Sequence, residues 1–164
     1  MKDACVLFDL MDLGLLDRFF ALGLQVVTSP QVVREVARND QREILAAVIA
    51  ERKLVVDSRV TLEDILAVKK MYPGLTFTDC SVFALARQMD GIILSSDKGV
   101  RNAAKKNLIE VHGTLWIVEL LVQRGEITKT HGIDSLKLLM DVNNRAPVKA
   151  IRKLIRDLTD LPDE

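Results

Sequence analysis

The stretch TFTDCSVFALARQMDGIILSSDKG, residues 76–99, joins a helix pattern directly to a strand pattern. Helical spacing runs over Thr78–Met89, and the apolar run Gly91–Ser96 predicts a short strand. Asp79 lies near the start of the helix pattern, and Asp97 follows the strand directly. Each has an ordinary explanation, because first-turn acids suit a helix dipole and aspartate is common in turns. The alternative is that both carboxylates point into one acidic site.

The helical position of Asp79 favours an inward-facing carboxylate. At about 100° per residue, Phe83 lies roughly 40° from Asp79, whereas polar Gln88 lies about 180° away. A carboxylate on a buried face is costly unless it is hydrogen-bonded or close to a cation. Thr78 can cap the helix by itself, so capping does not require Asp79 to face inward.

Short apolar runs alternate with helical segments over most of the chain. The predicted strands are Leu24–Ser29, Lys53–Ser58, Gly91–Ser96 and Leu108–Gly113. The predicted helices include Val6–Phe20, Pro30–Ala37, Glu43–Arg52, Leu62–Met71 and Thr78–Met89, with another near Val100–Lys106. This alternation predicts an α/β fold with a parallel sheet covered on both faces, and runs such as VV, LVV and IIL predict strands buried on both sides.

Helix-start signals support these boundaries. Ser29 precedes Pro30 as a cap, and Thr61 precedes two acids that suit a first turn. A last helix is predicted to begin near Pro147, in a helical tail that starts at about Gly132. One face of that last helix is apolar, and the other carries Lys149, Arg152, Lys153 and Arg156. The tail is interpreted as an oligomer contact or as a cover over the sheet.

Composition excludes several classes of protein. The 164 residues are 49% apolar and contain 23 basic and 23 acidic side chains, so net charge gives no general attraction to nucleic acid or membranes. No run of about 20 uncharged apolar residues predicts a membrane span. Acids interrupt the apolar N-terminal region, which is not typical of a signal peptide. Cys5 and Cys80 give neither metal-type spacing nor a disulfide framework, and we expect a cytoplasmic protein.

Four acids fall where sequential strand–helix units place their junctions. Asp3 and Asp97 lie at predicted junctions after strands, the first of them very short, and Glu35 and Asp79 lie in early helical turns. Such junctions share one rim of a parallel sheet, where ligands bind. Converging carboxylates repel each other unless a cation neutralises them, and all-oxygen sites suit Mg²⁺ or Mn²⁺.

Read singly, several acids have simpler interpretations. Asp3 is also consistent with a helix cap near the terminus, and Glu35 lies off the apolar arc of its helix, which is typical of a solvated acid. Asp9, Asp12 and Asp17 do not share one helical face and are predicted to lie on the surface.

The chain resembles PIN domains, close to the VapC-like ribonuclease toxins. The matching segments are DACVLFDLMDLGLLDRFF (3–20), VTSPQVVREV (27–36), LTFTDCSVFALARQMDGIILSSDKGVRNAA (75–104) and VHGTLWIVELLVQRGEI (111–127). The resemblance implies a three-layer α/β/α fold around a parallel sheet of four or five strands. It implies a nuclease domain over residues 1–130, with residues 131–164 as a helical C-terminal appendage.

The same resemblance implies a chemistry and a set of site residues. It implies cleavage of single-stranded RNA by an activated water with Mg²⁺ or Mn²⁺. The implied catalytic residues are Asp3, Glu35, Asp79 and Asp97, of which Asp3, Asp79 and Asp97 would hold the metal. Ser96 occupies a position at which the family often has a hydroxyl, and it is predicted to bind the substrate together with Arg101. An antitoxin partner and a homodimer are also implied.

Basic residues follow Asp97 directly. Lys98, Arg101, Lys105 and Lys106 are interpreted either as contacts to RNA phosphates or as an ordinary solvated helix face, and Arg101 is the best candidate for phosphate binding. Lys98 and Gly99 replace a further acid that some PIN relatives carry. This difference favours an alternative hypothesis, a PIN-like binding module with weak or no catalysis. A receiver-type phosphotransferase is disfavoured because no Asp-x-Asp occurs at the first junction.

Overall fold

Ten helices and four short strands make up the part of the chain that the computed structural model describes, residues 5–160. In chain order they are α1 Cys5–Asp12, α2 Leu16–Ala21, β1 Val26–Thr28, α3 Pro30–Glu35, α4 Asn39–Ala50, β2 Leu54–Val56, α5 Leu62–Met71, α6 Phe77–Met89, β3 Ile93–Leu94, α7 Lys98–Lys106, β4 Val111–His112, α8 Thr114–Gln123, α9 Lys129–Val142 and α10 Val148–Thr159. Within the described residues they fall into two compact units, one formed by residues 5–8 and 25–113 and the other by residues 9–24 and 114–160.

The strands lie where the sequence predicts them, but the predicted sheet of four or five strands is wrong for the described residues. In residues 5–160, β1 pairs only with β2 and β3 only with β4, both in parallel. Each run of six residues gives only two or three paired residues, and a helix cap follows β1 and β3 almost at once. Ser29 begins α3 directly after β1, and Asp97 begins α7 soon after β3. The predicted first strand beside Asp3 lies outside the described residues.

The strand β2 is covered on one face only. Leu54 is buried, and α4 packs against the strand, whereas the next side chain, Val55, is 41% exposed. The prediction that the apolar runs are buried on both sides is therefore wrong for β2. A run of three apolar residues does not distinguish a covered sheet face from an open one.

Helix α6 is central to the first unit. It packs against α3, α5, α7 and β3. The surrounding core is formed by Ile65, Val68, Leu75, Cys80, Phe83, Ala84, Ile93, Val100, Ala103 and Ala104. Cys80 is fully buried there, as its interpretation as a small packing residue requires, and burial raises the pKa of its thiol.

The predicted helix Val6–Phe20 is wrong, because the chain forms two helices separated at Gly14. Gly14 has φ of +66°, a left-handed conformation that glycine adopts without strain. The amide of Gly14 donates to the carbonyl of Met11 (3.1 Å), and that of Leu15 donates to the carbonyl of Leu10 (2.8 Å). These two bonds form a Schellman motif, which ends α1.

The second unit is a helical assembly in which the C-terminal tail is an integral part. Helix α8 packs against α2, α9 and α10, and α9 packs against α10. Gly132 in α9 is buried, and a Cβ at this position would lie 2.6 Å from Cγ2 of Val122 in α8. The close approach of these two helices therefore requires glycine at position 132.

Asp9 is buried in the second unit, so its predicted place on the surface is wrong. Only 7% of it is exposed, whereas Asp12 and Asp17 are exposed as predicted. The hydroxyl of Thr114 donates to Asp9 Oδ2 (2.6 Å), and the amide of Asn143 donates to Asp9 Oδ1 (3.0 Å). Burial raises the pKa of Asp9 even though both hydrogen bonds act in the opposite direction.

We expect Asp9 to make stability fall as pH rises. Its pKa is higher in the folded than in the unfolded chain, so the folded state retains the proton over a window above about pH 3.8. The free energy of unfolding of the wild type, relative to Asp9→Asn, should therefore decrease from pH 4 to pH 7. Urea unfolding at several pH values measures this difference, with Asp141→Asn as the exposed control. A difference that does not change with pH would contradict the prediction.

Candidate active site

Asp79 and Thr76 form a reciprocal cap at the start of α6. Thr76 Oγ1 accepts a hydrogen bond from the Asp79 amide (3.1 Å), and Asp79 Oδ2 accepts one from the Thr76 amide (2.7 Å). The prediction that Thr78 caps the helix is wrong, since Thr78 is a buried residue within the first turn. The spacing Thr-x-x-Asp is that of a capping box, and it identifies Thr76 rather than Thr78.

The second carboxylate oxygen of Asp79 is not explained by capping. Asp79 is only 5% exposed, as its place on the apolar face predicts, and Oδ1 is fully buried. Within residues 5–160, no hydrogen-bond donor reaches Oδ1. A buried charged oxygen without a donor is costly, and a cation is the partner that removes this cost.

A second capping box shows that capping alone does not require burial. At the start of α5, Asp64 is the partner of Thr61 and is only partly buried. Asp64 Oδ2 accepts from the Thr61 amide (2.9 Å), the Thr61 hydroxyl (2.7 Å) and Gln88 Nε2 (3.1 Å). Asp64 therefore provides a structural comparison for Asp79.

Asp97 caps α7 at the carboxyl end of β3. Its Oδ1 accepts from the Val100 amide (3.0 Å), and its own amide donates to Ser95 Oγ (3.0 Å). A Cβ at Gly99 would lie 2.9 Å from Asp97 Oδ1 and 3.2 Å from Leu75 Cδ2. Any larger residue at position 99 would press on this carboxylate, which gives a local steric reason for glycine there.

The starts of three helices lie close together in the first unit. The crowding around Gly99 brings the start of α7 against Leu75, which directly precedes Thr76. The hydroxyls of Ser29 and Ser81 lie 2.7 Å apart and join the start of α3 to the first turns of α6. Helix starts carry partial positive charge, which favours carboxylates and other anions there.

The complete set of four acids is not brought together in the described residues. Glu35 ends α3 and is half-buried, with a shielded Oε2, so the interpretation of a solvated acid is wrong. Asp3 lies outside the described residues. Over residues 5–160, no group of three or more His, Cys, Asp or Glu side chains is placed to hold a metal ion. The structure thus places Asp79 and Asp97 at neighbouring helix starts without assembling a ligand cluster.

Ser96 and Arg101 lie together beyond the strand ends. Ser96 is exposed, and Arg101 is half-buried with Nη1 donating to the carbonyl of Ser95 (3.3 Å). A Cβ at Gly113 would lie 3.1 Å from Ser96 Oγ and 3.5 Å from Arg101 Nη1. The hydroxyl and the guanidinium therefore flank the backbone that follows β4. Lys98, Lys105 and Lys106 are all exposed, as expected for a solvated face.

Two residues near α6 were not indicated by the sequence. Lys69 Nζ donates to the carbonyls of Pro73 (2.7 Å) and Leu75 (2.5 Å) and so holds the turn that leads into α6. Gln31, in α3, has a buried Oε1 without a donor in the described part of the chain. Neither position has a sequence signal, because Lys69 resembles any basic residue in a last turn and Gln31 any polar residue in a first turn.

Replacing Asp79 by asparagine should stabilise the protein when no metal is present. In Asp79→Asn, the amide oxygen can still accept from Thr76, while the buried negative charge is removed. We therefore expect the free energy of unfolding in EDTA to rise by about 1 kcal/mol. The matched variant Asp64→Asn should lower it, because that carboxylate accepts three hydrogen bonds. Equal destabilisation of both variants in urea unfolding would contradict this interpretation of Oδ1.

The comparisons with known proteins identify the family of the chain. No curated protein matches the chain. A family model described as DUF3368, a PIN domain, matches residues 1–160. This match covers nearly the whole chain, and PIN domains are generally nucleases that usually use divalent metal ions. The chain therefore belongs to the PIN domain family.

Proposed function

We propose that this chain is a metal-dependent endoribonuclease that hydrolyses single-stranded RNA. The observation that carries the proposal is the buried Oδ1 of Asp79, a charged oxygen without a donor in the described residues. It lies at the start of α6, the position at which the resemblance to PIN domains implies a ligand. Membership of a family of nucleases supports hydrolysis as the reaction type.

The carboxylate oxygens at these helix starts are suitable ligands for a hard divalent cation. Carboxylate oxygens are the ligands that Mg²⁺ and Mn²⁺ prefer, and Asp79 Oδ1 is held rigidly because Oδ2 is committed to the Thr76 amide. Asp97 uses Oδ1 for its own cap, and its other oxygen takes no part in that bond. In the proposed site Asp79 and Asp97 act with Asp3 and Glu35. A bound cation would neutralise phosphate charge and lower the pKa of water.

Ser96 and Arg101 are proposed to hold the phosphate that is cleaved. Ser96 follows the carboxyl end of the parallel strand β3, where ligands bind in sheets of this type, and Arg101 reaches the same end from α7 through its bond to the Ser95 carbonyl. The exposed hydroxyl of Ser96 can donate to a phosphate oxygen. Arg101 uses Nη1 to bind the Ser95 carbonyl, which orients the remaining donors of its guanidinium.

We expect Asp79→Asn and Asp97→Asn each to reduce Mn²⁺-dependent cleavage of single-stranded RNA at least about 100-fold. Loss of a residue that only supports a metal ligand already lowers activity or metal affinity about 10- to 100-fold, and loss of a ligand should lower activity further. A fluorophore–quencher RNA of mixed sequence reports the initial rates. Asp64→Asn is the matched control, because it removes the same charge from an equivalent capping box, and it should retain activity. Cleavage by Asp79→Asn and Asp97→Asn at the wild-type rate would refute the site assignment.

The alternative is a PIN-like module that binds without cleaving. It is favoured by Lys98 and by the lack of a three-ligand group in residues 5–160. The two functions differ in metal binding. If the chain is a nuclease, it should be stabilised by Mn²⁺. Where 1 mM Mn²⁺ is about 100 times the Kd for this ion, the free energy of unfolding should rise by about 2.7 kcal/mol. Asp79→Asn should abolish this gain and Asp64→Asn should keep it, whereas no gain in the wild type would favour the binding module.

The biological role proposed for the nuclease is that of a toxin paired with an antitoxin, acting as a homodimer. This part of the proposal rests on the resemblance of residues 3–127 to VapC-like toxins. A small gene directly beside this one, whose product blocks RNA cleavage, would support the toxin role over that of a housekeeping nuclease.

A further inference from the structure

Helix α10 presents one apolar face and one strongly basic face. Ile151, Leu154 and Leu158 are buried within the second unit. On the opposite side are four exposed cations, which we call the basic stripe: Lys149, Arg152, Lys153 and Arg156. At about 100° per residue these four lie within one arc of roughly 100°, and at about 1.5 Å per residue the stripe is about 10 Å long.

The basic stripe is unfavourable for the helix that carries it. Its members are spaced three or four residues apart, so Lys149 repels both Arg152 and Lys153, and Arg156 repels both as well. Lys149 also lies in the first turn, where the helix dipole disfavours a cation, and the first turn contains no acid. The helix dipole favours only Arg156, which lies in the last turn. Helix stability therefore does not explain why Lys149, Arg152 and Lys153 are basic.

The described residues do not neutralise the basic stripe. None of its four members forms an ion pair within residues 5–160, although Asp157 follows Lys153 by four positions. A comparable pair does form in α9 of the same unit, where Lys137 Nζ lies 3.4 Å from Asp134 Oδ1. The cations of the stripe remain available for an external anion.

We propose that the basic stripe binds the phosphate backbone of single-stranded RNA and increases affinity without reading bases. The inference rests on the proposed ribonuclease function, since it names a contact to the same substrate. Because the net charge is zero, attraction to a polyanion must come from a local patch of this kind. Helix α10 contains no aromatic residue on which a base could stack, so the contact is to phosphate and tolerates any sequence.

Two other partners fit this surface less well. Protein interfaces are depleted in lysine at their centres, and the stripe has no apolar residue between its cations. A basic amphipathic helix binds membranes by inserting its apolar face, but that face of α10 is already buried in the core. A linear array of cations with its apolar side covered matches a phosphate backbone best.

The test compares two variants with the same change in charge. The stripe variant replaces Lys149, Arg152, Lys153 and Arg156 by glutamine. The control variant replaces four exposed basic residues elsewhere in the chain by glutamine: Arg18, Lys70, Arg87 and Arg124. Both are made in the Asp79→Asn background so that RNA is not cleaved. Binding to a fluorescein-labelled single-stranded RNA is measured by anisotropy at several salt concentrations.

We expect the stripe variant to bind RNA at least about 10-fold more weakly. The slope of the logarithm of its RNA-binding constant against the logarithm of salt concentration should become less steep by about 2 to 3, because each phosphate contact contributes about 0.7. The control variant should keep both the affinity and the slope. Equal losses in the two variants, or no loss in either, would overturn the inference. A loss of binding to polyglutamate while RNA binding is unchanged would overturn RNA as the partner.

Failure of this inference is distinguishable from failure of the proposed function. With Asp79 intact, the stripe variant should raise KM for RNA and leave kcat unchanged. If the wild type binds RNA through the stripe but does not cleave it, the nuclease proposal fails and the stripe inference stands. If the wild type cleaves RNA and the stripe variant has an unchanged KM, the inference fails and the nuclease proposal stands.

Discussion

The reciprocal cap between Thr76 and Asp79 determines where α6 begins, and the first unit is built around α6. The helix packs against α3, α5, α7 and β3, so an altered start would shift the contacts with all four. The cap satisfies the Thr76 and Asp79 amides, two of the amides at this helix start that lack a helical partner. It also sets the direction of the Asp79 carboxylate, because Oδ2 is bound and Oδ1 must then point into the interior.

Two buried carboxylates in this chain illustrate different outcomes of burial. Asp9 has a donor on each oxygen, from Thr114 at the start of α8 and from Asn143, the residue that follows α9. Asp79 has a donor on one oxygen only. A buried carboxylate with a hydrogen-bond donor on each oxygen is explained by the structure around it. A buried carboxylate with a donor on only one oxygen carries a free-energy cost, which a bound cation would remove. This contrast is why Asp79, and not Asp9, is the candidate ligand.

Local patterns predicted much of the fold and the burial of Asp79. The helix Leu62–Met71 and the inward face of Asp79 follow from hydrophobic period, which depends only on neighbouring residues. The break at Gly14 was also local, since a glycine among leucines permits a Schellman turn, but the apolar period continued across it and concealed it. The two separate strand pairs were not predictable, because pairing joins segments such as Val26 and Leu54 that are distant in sequence.

Burial of acids is the property that sequence reasoning judged least well, for a physical reason. The partners of Asp9 lie 105 and 134 residues away in the sequence, so no helical projection of its own segment could place them. Glu35 was assigned to solvent by the arc of its own helix, yet the surrounding structure shields its Oε2. Asp79 was placed correctly because its helix is central and is covered on several sides. The helical projection of a segment predicts burial well for a helix that is packed on several sides by other elements. It predicts burial poorly for short helices such as α1 and α3, because distant segments determine which of their side chains are covered.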